Sequence, residues 1–177
     1  MTVALCLGAA ECLDGDLKAA LALCEPDFII ACNDAIPHWP GRLDAAVSLH
    51  CDHQHARREL RRERGYPDPD EWLVAPNRDA GWQSLVDHLL PGMGISGSSG
   101  LFAVKVGLFD FGADKAIIAG MPLDPTLHCD GRTIFTCAWT FRDAWREIPE
   151  RIKPRIRSMS GWTAQFLGRP DKEWLEC

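Results

Sequence analysis

The residues best suited to chemistry stand where apolar runs of this sequence stop. The run FIIAC is followed by Asn33-Asp34, a second by His50-Cys51-Asp52, a third (KAIIA) by Gly120 and then Asp124, and the first run of the chain by Gly8. Such side chains can hydrogen-bond a ribose, take up or release a proton, or let a backbone approach a phosphate. His50, His128 and Asp124 are the candidate acid/base groups. Gly8, Asn33, Asp34, Ser98, Ser99, Gly100 and Gly120 are the candidates for holding a nucleotide or other cofactor.

The stretch from Pro91 to Gly100 carries the densest signal. Gly92, Gly94 and Gly97 match G-x-G-x-x-G, the dinucleotide fingerprint. The preceding VDHLLP is expected to be helical, and the motif lies far from the first strand–helix turn, so the dinucleotide label is set aside. The spacing also suits a phosphate loop, but Ser98 stands where that loop needs lysine. Ser98-Ser99-Gly100 then open an apolar helix with small residues and the positive end of a helix dipole. An anion site there is one reading, and simple capping by Ser98 is the other.

His50-Cys51-Asp52-His53-Gln54-His55 contains several metal-ligand types, but no distant cysteine–histidine cluster completes a zinc site, so no metal ligands are assigned. Five arginines between Arg57 and Arg64 are expected to form a solvated basic helix face, with phosphate or RNA steering as the alternative. Arg151, Lys153, Arg155 and Arg157 alternate as for an exposed strand or a phosphate clamp. Trp39, Trp139, Trp145 and Trp162 suit core packing, or stacking on a base.

These residues need elements to position them. Buried strands are expected at 2–7, 28–32, 45–49, 72–75 and 115–119, with a shorter one at 156–159. Helices are expected at 17–23, capped by Asp14 or Asp16, and at 53–64, 81–90, 101–111, 140–148 and 161–167. Between residues 101 and 111 only Lys105 and Asp110 are charged, the mark of a buried helix. Short apolar strands alternating with helices imply an α/β, Rossmann-like single domain with a mainly parallel sheet covered by helices on both faces. In such sheets ligands bind beyond the carboxyl ends of the strands, where the polar residues above fall. Residues 1–124 are expected to form a nucleotide-binding-like core, and 125–177 an extension packed upon it.

Composition narrows the class. With 177 residues the chain has the length of one domain. At 46% hydrophobic and 25% charged residues it is neither disordered nor fibrous. A net charge of −6 argues against nucleic acid as a partner. No run is long enough to span a membrane, and residues 2–7 lack the basic leader of a signal peptide. Eight cysteines without a CxxC pair, several inside apolar runs, read as buried thiols of a reducing, cytoplasmic protein.

Two segments together carry a family resemblance: FIIACNDAIPHWPGRLDAAVSLHCD (28–52) and SGSSGLFAVKVGLFDFGADKAIIAGMPLD (96–124). The pattern resembles the Rossmann-like superfamily of Campylobacter-type sialyltransferases. The archaeal 6-hydroxymethylpterin pyrophosphokinase-like proteins, with their relatives of unknown function and small phage and prophage proteins, share it. The resemblance implies that Gly8 and Asn33 line a nucleotide site, that Ser98, Ser99 and Gly100 hold phosphates, and that Gly120 and Asp124 close the pocket. From the sialyltransferase branch it implies a cytidine monophosphate sugar and a histidine base. From the pyrophosphokinase branch it implies magnesium on carboxylates such as Asp34, Asp52 and Asp124.

The resulting expectation is a nucleotide-binding transferase that moves a glycosyl or phosphoryl group from a nucleotide donor, with His50 or His128 as base. The alternative is a non-catalytic phage- or prophage-derived binding or assembly protein that keeps the fold. Its motivation is that the only tyrosine, Tyr66, lies outside the motifs, where the sialyltransferases use tyrosines on phosphate. The expected partner is a small nucleotide-type molecule, and homo-oligomers are left open. A Ser99→Asp variant is expected to lose nucleotide binding, because a carboxylate repels a phosphate. A titration in which it binds as the parent does would overturn the phosphate assignment.

Overall fold

In a computed structural model of the chain, residues 1–50, 53–74, 88–89, 98–131, 134–136 and 138–177 are described. Val3–Leu7 (β1) and Phe28–Cys32 (β2) run parallel, joined by the helix Leu13–Leu23 (α1). A short helix, Ala35–His38 (α2), leads to Ala45–Ser48 (β3), and Gln54–Glu63 (α3) leads to Glu71–Val74 (β4). His88–Leu89 (β5) pairs parallel to β4 at the sheet edge. Then Ser99–Lys105 (α4) continues into a π-helical turn, Val106–Asp110, and returns to Lys115–Ala119 (β6) on the other side of β1. Thr126–Leu127 (β7) and Ile134–Phe135 (β8) form a separate antiparallel pair. Arg142–Arg146 (α5), Ile156–Ser158 (β9), Gly161–Leu167 (α6) and Lys172–Glu176 (α7) complete the chain.

The main sheet has seven parallel strands in the order β5-β4-β3-β2-β1-β6-β9. Its central strands are apolar throughout because both faces are covered. Val3, Leu5 and Leu7 pack with α1, α2 and α7, whereas Ala4 and Cys6 pack with α4, α5 and α6. The Rossmann-like α/β arrangement expected from the strand–helix alternation is therefore present. The order reverses between β1 and β6, since β2 to β5 extend one way and β6 the other. That is a topological switch point, where a crevice opens at the carboxyl ends of the strands.

Polar groups pin the opposite ends of the strands. Asp27 accepts the Val3 N–H at 2.7 Å, Asp44 the Ile29 N–H at 2.8 Å, and Asp114 the Thr2 N–H at 2.7 Å. The last bond holds the Asp114 carboxyl below the usual carboxylate range.

Several sequence expectations change. Helix α1 begins at Leu13 behind Cys12, without a side-chain cap. Asp16 lies inside it and accepts the Gly120 N–H, so neither Asp14 nor Asp16 caps that helix. His88 and Leu89 are strand rather than helix, because they find an open edge of β4 to pair with. The rest of the expected 81–90 helix and the glycines at 92, 94 and 97 lie outside the described residues.

The arginine-rich helix α3 is not a solvated basic face. Arg57 and Arg61, four residues apart, both turn inward. Arg61 is 0% exposed and donates to the carbonyls of Ile36, Trp39, Gly41 and Pro67 at 2.6–2.7 Å. Burial lowers its pKa, yet four charge-assisted bonds hold the guanidinium in place. Arg62 and Arg58 pair with Asp68 at 2.9 and 3.6 Å, which leaves little unpaired charge on this helix to steer RNA.

Removing Arg61 would take the donor from four carbonyls, that of Ile36 buried and those of Trp39, Gly41 and Pro67 partly buried. Arg61→Met is therefore expected to destabilise the fold by about 3 kcal/mol or more, read from urea unfolding. An unchanged midpoint would mean that water replaces the guanidinium.

Candidate functional site

A cleft of about 320 Å³ lies over the β1/β6 switch point. The ten residues named from sequence as acid/base or nucleotide-holding candidates line it: Gly8, Asn33, Asp34, His50, Ser98, Ser99, Gly100, Gly120, Asp124 and His128. Distance along the chain is no obstacle, because eight of them sit at or just beyond the carboxyl ends of sheet strands or at the start of α4, and the segment after β6 brings Asp124 and His128 over the same place.

The cleft floor is made by two glycines. Gly8 ends β1, donates its N–H to the Ala119 carbonyl at 2.8 Å, and packs directly on Gly120. Gly120 has φ +69°, and a Cβ there would lie 2.3 Å from the Gly8 carbonyl oxygen. Below them Asp16, buried, accepts from Gly120 N at 2.9 Å and from Ser160 Oγ at 2.7 Å. The position needs glycine for its backbone conformation and for the close approach.

One wall is built around Ser48, which the sequence reading missed. Asn33 adopts φ +52° as β2 ends, and its Oδ1 accepts the Ser48 hydroxyl at 2.9 Å. With Oδ1 engaged, the Asn33 amide has its Nδ2 donors left for a ligand. Ser48 in turn accepts from His50 N at 3.0 Å and Arg57 Nη1 at 3.1 Å, so this buried hydroxyl uses its donor and both acceptor positions. Arg57, read from sequence only as part of a solvated or phosphate-steering helix face, is 9% exposed and lines the cleft, donating from Nε to Asp34 at 3.1 Å. The other Asp34 oxygen lies 3.4 Å from His128 Nδ1. A serine ending an apolar strand and an arginine four residues before another on one helix were the available signals.

The opposite wall is the start of α4. Ser98 caps it, as one of its two readings supposed. Its Oγ accepts the Leu101 N–H at 3.3 Å and the Trp145 indole N–H at 3.2 Å. Ser99 Oγ accepts the Leu49 N–H at 3.3 Å, tying the helix to the end of β3. Both hydroxyl oxygens accept internal bonds, and each hydroxyl keeps its O–H donor. The Ser98 side-chain cap takes the Leu101 N–H and not the first-turn N–H groups of Ser99 and Gly100.

The far rim carries Asp124 and His128. Asp124 accepts from Arg142 Nη2 at 2.6 Å and from Trp162 N at 2.9 Å, so it anchors the start of α6. His128 is held by a bridge to Ala10, with Cys129 N donating to the Ala9 carbonyl at 2.8 Å. His50 stands exposed at the mouth beside the edge of the His53 ring. Asp52 lies outside the described residues. The basic residues at 151, 153, 155 and 157 do not line the cleft; Arg155 holds the Ala113 and Asp114 carbonyls, and Arg157 covers Trp174.

The electrostatics suit a neutral-to-anionic ligand. Asp34 and Asp124 are each paired with an arginine, an arrangement that does not fit a divalent cation held between them. Among the described residues no group of three or more His, Cys, Asp or Glu converges on a metal position. Cys32, in the cleft wall, has its thiol pushed up to about 12 by burial, so it is not poised as a thiolate nucleophile. No helix of the described residues is long and apolar enough to cross a membrane.

No protein-family model matches the sequence, and no curated protein matches it. Solved structures do. A variant of the alpha-2,3/8-sialyltransferase CstII superposes with a TM-score of 0.57 at 12% identity, over 97% of this chain and 88% of that one. The sialyltransferase CstII from Campylobacter jejuni with cytidine-5'-monophosphate gives 0.54, at 12% identity, over 97% and 87%. The same enzyme with a trisaccharide acceptor and CMP gives 0.55, again at 12%, over 97% and 87%. The likeness is one of fold, and it extends over nearly the whole chain.

Gly120→Ala is expected to destabilise the protein by on the order of 2 kcal/mol, from the positive φ and the clash with Gly8 together. Thermal unfolding checks it, and a variant as stable as the parent would show that the two strand ends can separate.

Proposed function

We propose that the chain is a nucleotide-binding glycosyltransferase whose donor, a nucleotide sugar, lies across the β1/β6 switch point. The observation that carries this reading is the convergence of the ten candidate residues on one cleft, at the crevice where α/β sheets bind nucleotides. The sialyltransferase-like fold supports it, since the neighbouring structures contain CMP.

In this reading Gly8 and Gly120 let the ligand approach the sheet backbone. The Ser99 and Gly100 N–H groups and the positive end of α4 face the phosphate. The Asn33 Nδ2 donors orient the base or ribose. Arg142 keeps Asp124 occupied, so Asp124 closes the pocket by fixing α6 rather than by moving protons. His128 takes the proton of the incoming hydroxyl, and His50 lies at the entrance. A glycosyl group suits the site better than a phosphoryl group, because phosphoryl transfer leans on metal-binding carboxylates and those described here are paired with arginines.

A thermal-shift titration with CMP, UMP, GMP, AMP, their diphosphates and NAD, with and without magnesium, tests it. Ligand at a hundred times Kd should add about 2.7 kcal/mol to folding, a rise of several degrees. A shift selective for one base supports the reading and names the donor's base. Flat curves for every nucleotide overturn it.

A further inference from the structure

Three charged or titratable side chains from different elements form a line along the cleft wall. Arg57, on α3, donates from Nε to Asp34 Oδ1 at 3.1 Å. Asp34, just beyond β2, faces His128 Nδ1 with its other oxygen at 3.4 Å. Arg57 cannot swing away easily, because Nη1 also donates to Ser48 at 3.1 Å and the side chain is buried. We propose that Arg57 and Asp34 are positioning residues that set the ring orientation and tautomer of His128. The proposal rests on the glycosyl-transfer reading for what His128 then does, but its geometry stands apart from that reading.

A neutral imidazole carries one proton. With that proton on Nδ1 and directed at Asp34, the lone pair is on Nε2, the nitrogen that can accept a proton. The 3.4 Å separation is longer than a formed hydrogen bond and has a few tenths of an ångström to close when a ligand fills the cleft. Arg57 occupies one carboxylate oxygen, which fixes the plane of the carboxylate and leaves the other for the ring.

In the transfer step the acceptor O–H bond breaks and its proton goes to His128 Nε2. The acceptor oxygen bonds to the anomeric carbon of the donor. The bond from that carbon to the phosphate oxygen breaks, and its electron pair leaves with the nucleoside mono- or diphosphate. The proton on His128 is then released to water. Asp34 and Arg57 touch none of the reacting atoms.

Nitrogen-15 NMR of the histidine rings in the full chain, at alkaline pH, reads this directly, with His128→Gln assigning the signal. The expected parent spectrum has His128 mainly as the Nδ1–H tautomer. Asp34→Asn is expected to invert it, and Arg57→Gln to leave a mixture of the two forms. In turnover of a nucleotide sugar carrying the base that the titration selects, Asp34→Asn is expected to lower kcat by about 10²–10⁴-fold, with KM for the donor within about threefold. An Nε2–H tautomer in the parent, or a tautomer ratio untouched by both substitutions, overturns the proposal. If Arg57→Gln does not fold, Arg57→Lys keeps the charge without the fork and is read the same way. A parent that binds no nucleotide but shows the tautomer inversion retires the transfer reading and leaves the positioning role supported.

Discussion

Two strand ends without side chains set the shape of the cleft. Gly8 and Gly120 meet backbone to backbone where the sheet changes direction, and a Cβ on Gly120 would lie 2.3 Å from the Gly8 carbonyl. Because they meet so closely, β1 and β6 stay paired to their last residue, Leu7 opposite Ala119. The loops above them then diverge, one toward Ala10 and the other toward Asp124. Asp16 locks the arrangement by spending its buried carboxylate on Gly120 N and Ser160 Oγ. A charged group in that position is tolerable only because both bonds are made.

The rest of the site is held by polar residues that satisfy one another. Ser48 links the ends of β2 and β3 to α3, and Arg57 links the same helix to Asp34. Ser98 and Ser99 tie α4 to Trp145 and to Leu49. Each of these groups is buried or partly buried, and each would cost stability if left alone. The wall is therefore preorganised: side chains that could contact a ligand do not have to be ordered when it arrives. Preorganisation of this kind lowers the cost of ordering the groups that line a cleft.

The segment after β6 completes the cleft. Asp124 receives Arg142 and the first turn of α6, and Arg142 with Arg146 lies over Trp162, which stacks on Phe166 at 4.9 Å. Cys129 N and Glu11 N bond across to carry His128 over the β1 loop. Residues far apart in sequence thus reach one space through a few backbone bridges, and not through a continuous stretch of chain.

Much of this was legible in the sequence. Apolar runs of five residues, each stopped by a glycine or polar residue, determined parallel strands buried on both faces and located the polar groups at their carboxyl ends, because a two-sided sheet leaves only its edges and ends for such groups. Helix α4 announced itself by its lack of charge. Tertiary structure decided what pairing decides. His88 and Leu89 became strand because β4 offered an open edge. Arg57 and Arg61, which local patterning read as solvated, turned inward to carboxylate, hydroxyl and carbonyl partners contributed by other segments. Whether a polar residue such as Ser98, Asp124 or Asp34 is free to meet a ligand or already engaged depends on donors and acceptors tens of residues away. One-dimensional spacing carries no record of those distances, and only the folded chain sets them.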